Sequence, residues 1–408
     1  MGFTDLYLMA QMKTQRPAAP FQRRRALILG AGITLLGVLR SLAEVEVDVL
    51  ALPDADRLPS RSRWYRAGPE VLAGVQPETL AQVLSGLPRR TVLFPCSDQW
   101  ALAIAALPAD IRNEYPASVA PLEALDVLID KTQFRATLET LHLPHPATRT
   151  LSSRVDLDSV PDALLGNSFL KPAHSQEFFA RFRVKAFQIA GRKEAEDRLA
   201  TCLEGGFEMM LQEYIPGPPT NHYYIEGLVD RDGVMRALFA RRRLRMSPPD
   251  FGNSTLMTSV PLSEVADAPA TLRSLFAHIR YRGIFSAEFK RDERNGVFNL
   301  IEVNARPWWY VEFATRCGVN VCELALQDAL GESVDTISSY GIGRRCVFPY
   351  YDLDAVRADL SAGQVGLLGW VRSWIGPYQP IFRWSDPVPA WGEIAVLISR
   401  RVRRLRGG

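Results

Sequence analysis

The run GIFSAEFKRDERNGVFNLIEVNARPWW, residues 283–309, reads as two strands around a polar turn. In its first half Phe285, Ala287 and Phe289 alternate with Ser286, Glu288 and Lys290, the period of two that gives a strand one apolar and one polar face. In its second half FNLIEVN, residues 298–304, is largely apolar on both faces until Glu302. If the chain stays extended, Glu302, Asn304 and Arg306 project from one side, gathering two acceptors and a cation. The turn-rich residues 291–296 between the halves make the pair an antiparallel hairpin.

Register decides what the hairpin can do. An odd loop of about three or five residues centred on Asn295 sets Glu288 opposite Glu302, whereas a tight Asn295-Gly296 turn sets Glu288 opposite Val303. We expect the odd loop. Two facing carboxylates repel unless a cation lies between them, and with the Asn304 amide oxygen they make a hard, all-oxygen site suited to magnesium. Arg306 then stands ready to grip a phosphate beside the metal. The plainer reading makes Glu288 and Glu302 exposed charges on an edge hairpin, with Arg306 as their salt-bridge partner. Against it stands the place of Glu302 inside an apolar strand, where burying an uncompensated carboxylate is costly.

The order Glu288, then Glu302-Val303-Asn304-Ala305-Arg306, resembles the magnesium and phosphate signature of the ATP-grasp ligases. These include biotin carboxylase, the large subunit of carbamoyl phosphate synthetase and various carboxylate–amine ligases. The resemblance extends in the same order over residues 25–335 and implies an α/β chain, a Rossmann-like N-terminal domain followed by a two-lobed ATP-grasp domain. It implies that Lys131, after Asp130, and Lys171, ending the short strand NSFLKP, reach nucleotide phosphates. His174 and Ser175 would donate to phosphate from a lid that here lacks the family's glycines. Glu213 would take the adenine amino group, backbone groups around Tyr214 and Ile215 the ring, and Asn221 the ribose. Glu288, Glu302 and Asn304 would hold magnesium, or manganese in its place, while Arg306, Arg243 and Lys171 take up charge on the transferred phosphate.

The implied reaction is phosphoryl transfer from ATP to a small-molecule carboxylate, giving an acyl phosphate and ADP, after which an amine displaces phosphate. A bicarbonate-activating carboxylase is the nearest enzymatic rival, though no biotin-carrier segment or duplicated synthetase half is visible. The glycine-poor lid keeps open a nucleotide-binding scaffold without catalysis. A dinucleotide oxidoreductase stands further off, because Leu35 occupies the place of the third glycine after Gly30-Ala31-Gly32.

Composition agrees with this outline. A chain of 408 residues is long for one core, and we expect a leader at 1–24, the Rossmann-like domain at 25–121, the ATP-grasp domain at 122–335 and a C-terminal extension at 336–408. A net charge of +3 without an interleaved basic–aromatic pattern argues against a nucleic-acid partner. Five cysteines with no close pair argue for reduced thiols in a cytoplasmic setting, with Cys317 and Cys322 as packing residues. The leader has neither the apolar stretch nor the cleavage site of a signal peptide, and no apolar run approaches the length of a membrane span. Lysine is scarce, six of the 48 basic residues, so a lysine at a motif position points to a need for a compact ammonium group. Oligomeric state leaves no mark in the sequence.

The remaining segments take simpler readings. Residues 25–52 open a doubly wound α/β domain. Asp98, just past the strand TVLFP, reads as the cap of a helix starting at Gln99. Residues 120–141 read as one helix, 173–185 as a surface turn where they are not a lid, and His222 as an ordinary surface residue. In RRRLR, 241–245, alternation puts Arg241, Arg243 and Arg245 on one face. Residues 394–405 mix apolar side chains with arginines, an amphipathic basic helix that either rests on an anionic membrane surface or docks on its own protein.

Overall fold

Three sheets carry the chain, whose computed structural model describes residues 23–53, 58–172, 175–184, 186–248, 252–349, 351–353, 355 and 367–394. The first sheet grows from the apolar runs near the N-terminus: β1 (Arg25–Leu29), helix α1 (Gly32–Leu42), β2 (Asp48–Ala51) and, after short helical turns, β3 (Thr91–Pro95). The strands pair parallel in the order β2-β1-β3. Alternation along β1 sends Ala26 and Ile28 into one core and Leu27 and Leu29 into another, which is why the run is apolar throughout. The Gly30-Ala31-Gly32 turn serves packing. Gly30 has φ +134°, and a Cβ there would fall 2.7 Å from Cys96 Cβ.

Helix α2 (Asp98–Ala105) follows, and then 120–141 departs from the expected single helix. Helix α3 (Leu122–Ile129) stops at Asp130, whose carboxylate accepts from the amides of Thr132 and Gln133 and starts a second helix, α4 (Lys131–Thr140). The break puts Lys131 on the wall of the central cavity.

The second sheet holds β4 (Thr148–Leu151), β5 (Ser168–Pro172), β6 (Phe187–Ile189) and β7 (Met209–Glu213), antiparallel in the order β4-β7-β5-β6, with helices α5 (Ser175–Phe182) and α6 (Arg192–Glu204) between strands. Here too the expectation of a lid loop or surface turn is corrected. The segment is helical at α5, and Phe178 is buried against Phe182, Phe187 and Phe207. That aromatic cluster is an anchor a glycine-rich loop cannot supply.

The third sheet is built from β8 (His222–Val229), β9 (Met235–Ser247), β10 (Asn253–Val260), helix α7 (Ala268–His278), β11 (Gly283–Arg291), β12 (Phe298–Asn304), helices α8 (Val311–Arg316) and α9 (Val321–Leu330), and β13 (Arg345–Val347). Its order is β12-β11-β8-β9-β10-β13, antiparallel throughout. The residues after 341 therefore contribute a strand to this sheet before helix α10 (Leu367–Trp374). They are also pinned to α1 by Arg40, fully buried, which donates to the Asp386 carboxylate and to the carbonyls of Pro380 and Ile381. All five cysteines are buried and unpaired. Among the described residues no helix is long and apolar enough to cross a membrane. The leader and most of the basic helix expected at 394–405 lie outside the described residues.

Candidate active site

Glu288 does face Glu302 across β11 and β12, but by a different route from the one expected. Arg291 pairs with Phe298, so the loop 292–297 is even in length and would by itself set Glu288 against Ile301. A bulge at Ile301, between the pairs Phe289–Leu300 and Glu288–Glu302, supplies the missing residue and restores the carboxylate pair. Asp292 organises the loop by accepting from the Arg294 amide and guanidinium, and Gly296 takes its left-handed position at φ +77°.

The two carboxylates differ in surroundings. Glu288 accepts from His222 Nδ1 at 2.7 Å and from Arg243 Nη2 at 3.3 Å. Burial alone would raise its carboxyl, but the Arg243 charge and the His222 hydrogen bond reverse this and hold it at about 2. Glu302 is not buried as its strand pattern suggested, because its side chain opens into the solvent of the cleft. Dense protein around it and then the Glu288 charge still push its carboxyl up. A like-charge pair of this kind is what a divalent cation relieves.

From Glu302 the contacts run on in a chain. Asn304 Nδ2 donates to Glu302 Oε1 at 3.2 Å, Arg306 Nη2 donates to Asn304 Oδ1 at 3.2 Å, and Arg306 Nε donates to Asp98 Oδ1 at 2.7 Å. Asp98 is therefore not the helix cap. Ser97 fills that place, accepting from the Trp100 amide, and Asp98 in the first turn of α2 is left to meet Arg306.

His222, Arg243, Glu288, Glu302, Asn304 and Arg306 line a cavity of about 460 Å³ walled by strands of the second and third sheets. Of the residues singled out in the sequence, Lys131, Lys171, Glu213, Tyr214, Ile215, Arg243, Glu288, Glu302, Asn304 and Arg306 all line it. Lys171 Nζ donates to Gln212 Oε1 at 2.9 Å and Lys131 Nζ to the Pro172 carbonyl at 3.0 Å. Burial, then the Lys131 charge, pull the Lys171 ammonium down to about 8, and burial lowers Lys131 as well. The Glu213 carboxylate accepts from Arg294 at 2.6 Å, while the Tyr214 amide and carbonyl are engaged by Asn167. Asn221 does not line the cavity; its amide donates to the Arg291 carbonyl at 3.1 Å. Ser175 opens α5, but its side chain, like all of His174, lies outside the described residues.

Among the lining residues that sequence reasoning missed, four are charged or aromatic groups at the heart of the site. His222, read as a surface residue, meets Glu288 because β8 pairs with β11 so that His222 faces Lys290, two residues from Glu288 on the same face. Tyr224 lies directly opposite Glu288 and accepts from Arg243. Arg241 is buried, donates to Glu226 at 2.7 Å and lies 3.7 Å over the Tyr224 ring. Lys290 sits 4.3 Å from the centre of the Tyr214 ring. The arginine face of β9 is also divided, since Arg245 pairs with Asp352 and does not line the cavity. The signal for His222 and Tyr224 was cross-strand register, which a single strand does not display.

Among the described residues no three His, Cys, Asp or Glu side chains gather as a metal site. The donors present are two carboxylates and an amide oxygen, a set that fits magnesium completed by phosphates and water rather than a closed protein cage.

No family model matches the sequence. D-aspartate ligase of Enterococcus faecium (strain Aus0004) is 24% identical over 334 residues, covering 77% of this chain and 79% of that protein. N5-carboxyaminoimidazole synthetase from Staphylococcus aureus superposes with a TM-score of 0.62 at 14% identity, covering 84% of this chain and 88% of the other. Biotin carboxylase from Campylobacter jejuni, solved with β-γ-ATP, also gives 0.62 at 15% identity, covering 79% and 74%. Biotin carboxylase is one of the enzymes whose signature β11 and β12 resemble. The chain has the ATP-grasp fold. Within this ATP-grasp chain the carboxylate pair, Lys131 of α4, Lys171 of β5, Arg241 and Arg243 of β9 and Arg306 after β12 converge on one cleft.

Proposed function

We propose that the chain is an ADP-forming carboxylate–amine ligase working in this cleft. One observation carries the reading: Glu288 and Glu302 face each other in a cavity whose lining also includes Lys131, Lys171, Lys290, Arg241, Arg243 and Arg306, with Glu213 as the third carboxylate. Such a site sets lysines and arginines around a facing carboxylate pair, the arrangement that phosphoryl transfer from a metal–nucleotide complex needs. The D-aspartate ligase relative supports the amine-joining type and puts aspartate first among carboxylates to try.

In this reading a substrate carboxylate oxygen forms a bond to the γ-phosphorus of ATP as the bond to ADP breaks. The amine then bonds to the acyl carbon, and phosphate leaves. Glu288, Glu302 and Asn304 would hold magnesium, which would supply neutralisation of phosphate charge. Lys131 and Lys171 hold phosphates by point charge, and Ile215 borders the adenine edge while Lys290 and Tyr214 frame the site. Arg243 steadies Glu288 and faces the reacting phosphoryl group, and Arg306, held by Asp98 through Nε and Nη2 and by the Pro307 carbonyl through Nη1, brings a fixed positive charge to the same side. No side-chain nucleophile takes part.

Two outcomes belong here. Arg306→Lys lowers kcat/KM on the order of 100-fold, since a single ammonium cannot reproduce the two-point contact with Asp98 that fixes the charge in the cleft. Lys171 gives a pH signature: with its ammonium at about 8, ATP affinity falls as pH rises through that value, and Lys171→Arg removes the fall. The stability linkage has the same origin. The folded value lies below the ordinary 10.5, so the unfolded chain binds more protons between the two, and this group's contribution to stability rises with pH across that window.

Hydroxylamine trapping tests the reading. Mg-ATP, the chain and a substrate carboxylate yield a hydroxamate if an acyl phosphate forms. Phosphate release with bicarbonate and no hydroxamate from any carboxylate supports the carboxylase instead, and ATP binding without phosphate release supports the inactive scaffold.

A further inference from the structure

Large apolar side chains stand exposed near the end of the described chain: Trp384 is 89% exposed, Leu368 81%, Ile375 68% and Trp391 62%. On α10 the exposed Leu368 and Val371, with Ile375 just beyond, follow the spacing of one helix face. The inward side is already used. Trp374 Nε1 donates to Asp352 at 2.7 Å, and Ser373 Oγ accepts from Arg245 at 2.8 Å.

Past this helix the chain walls a second cavity of about 740 Å³, lined by Arg316, Arg344, Arg345, Arg383, Trp374 and Trp384 among others, and by no carboxylate among the described residues. It shares no lining residue with the active site. Glu44 and Glu312 answer Arg316 and Arg383. Arg344 and Arg345 are exposed and, among the described residues, take part in no ion pair. The sequence continues from Ile394 as AVLISRRVRRLRGG, which adds apolar residues and five arginines.

Exposed tryptophans and aliphatics beside unpaired arginines match the chemistry of an anionic bilayer surface. Indole rings settle at the head-group level, aliphatic side chains enter below it, and arginines reach lipid phosphates. We infer that this face docks the protein on an anionic lipid surface. Leu368, Val371, Ile375 and Trp384 enter the head-group layer, and Arg344 and Arg345 contact phosphates.

Co-sedimentation of the full chain with vesicles of phosphatidylcholine, with and without phosphatidylglycerol, tests this. The protein pellets only with the phosphatidylglycerol vesicles and is released by high salt. R344Q combined with R345Q weakens binding by on the order of 25-fold, at roughly fivefold per arginine. L368S with I375S also lowers the bound fraction, and both variants keep the parent's phosphate release. Equal pelleting on both vesicle types, no pelleting, or binding unchanged in the variants overturns the inference. So does a dimer that Trp384→Ser dissociates while no lipid is bound.

Discussion

Glu302→Ala lowers phosphate release from Mg-ATP by about 1,000-fold or more, while the thermal midpoint of the nucleotide-free protein stays level or rises. The opposite directions follow from the geometry. Glu302 faces Glu288 across the hairpin, and both the surrounding protein and the Glu288 charge disfavour its ionised form. Without a cation the pair is a source of repulsion, so removing Glu302 relieves the fold even as it removes a metal donor. Glu288→Ala behaves differently. Glu288 is held low by Arg243 and His222, so its loss leaves two cationic or polar partners in a confined site and lowers the midpoint along with activity. Steady-state phosphate release and thermal unfolding of the two variants check this contrast, and a large fall in midpoint for Glu302→Ala would count against it.

Arg40→Ala destabilises the protein by about 3–5 kcal/mol without touching the cleft. Arg40 is fully buried on α1, and its guanidinium serves the Asp386 carboxylate at 3.0 Å and two carbonyls at 2.9 Å, with Glu312 at 3.6 Å. Truncation leaves those acceptors buried without their donor, and Ser62 and the Arg63 amide remain as the other partners of Asp386. Arg40→Met, which keeps the packing but not the donors, should be nearly as damaging. A urea midpoint within experimental error of the parent's for either variant would refute the role given to this residue.

How far the sequence could be read depended on whether a feature was local. The alternation of Phe285, Ala287 and Phe289 and the apolar run at β1 are local, and both strands stand where the pattern put them. The pairing of Glu288 with Glu302 was anticipated, yet the bulge at Ile301 that produces it was not, because a bulge shows itself only in the partner strand's register. Asp130 was visible as half of an Asp-Lys pair, but its capping role, which divides 120–141 into two helices, was overridden by apolar periodicity. Asp98 and His222 were misjudged for a related reason. Each meets a residue far along the chain, Arg306 and Glu288 respectively, and neither partner could be assigned before the topology was known. The aromatic anchor of Phe178, Phe182, Phe187 and Phe207 likewise needed the second sheet in place before the glycine-poor segment made structural sense.

The most direct test is ADP and phosphate formation from Mg-ATP over a panel of carboxylates paired with amines, aspartate foremost, with Glu302→Ala as the blank. The ligase reading predicts turnover that requires one carboxylate and one amine together and vanishes in the blank. ATP binding with no turnover for any pair, or turnover equal in Glu302→Ala, would contradict it.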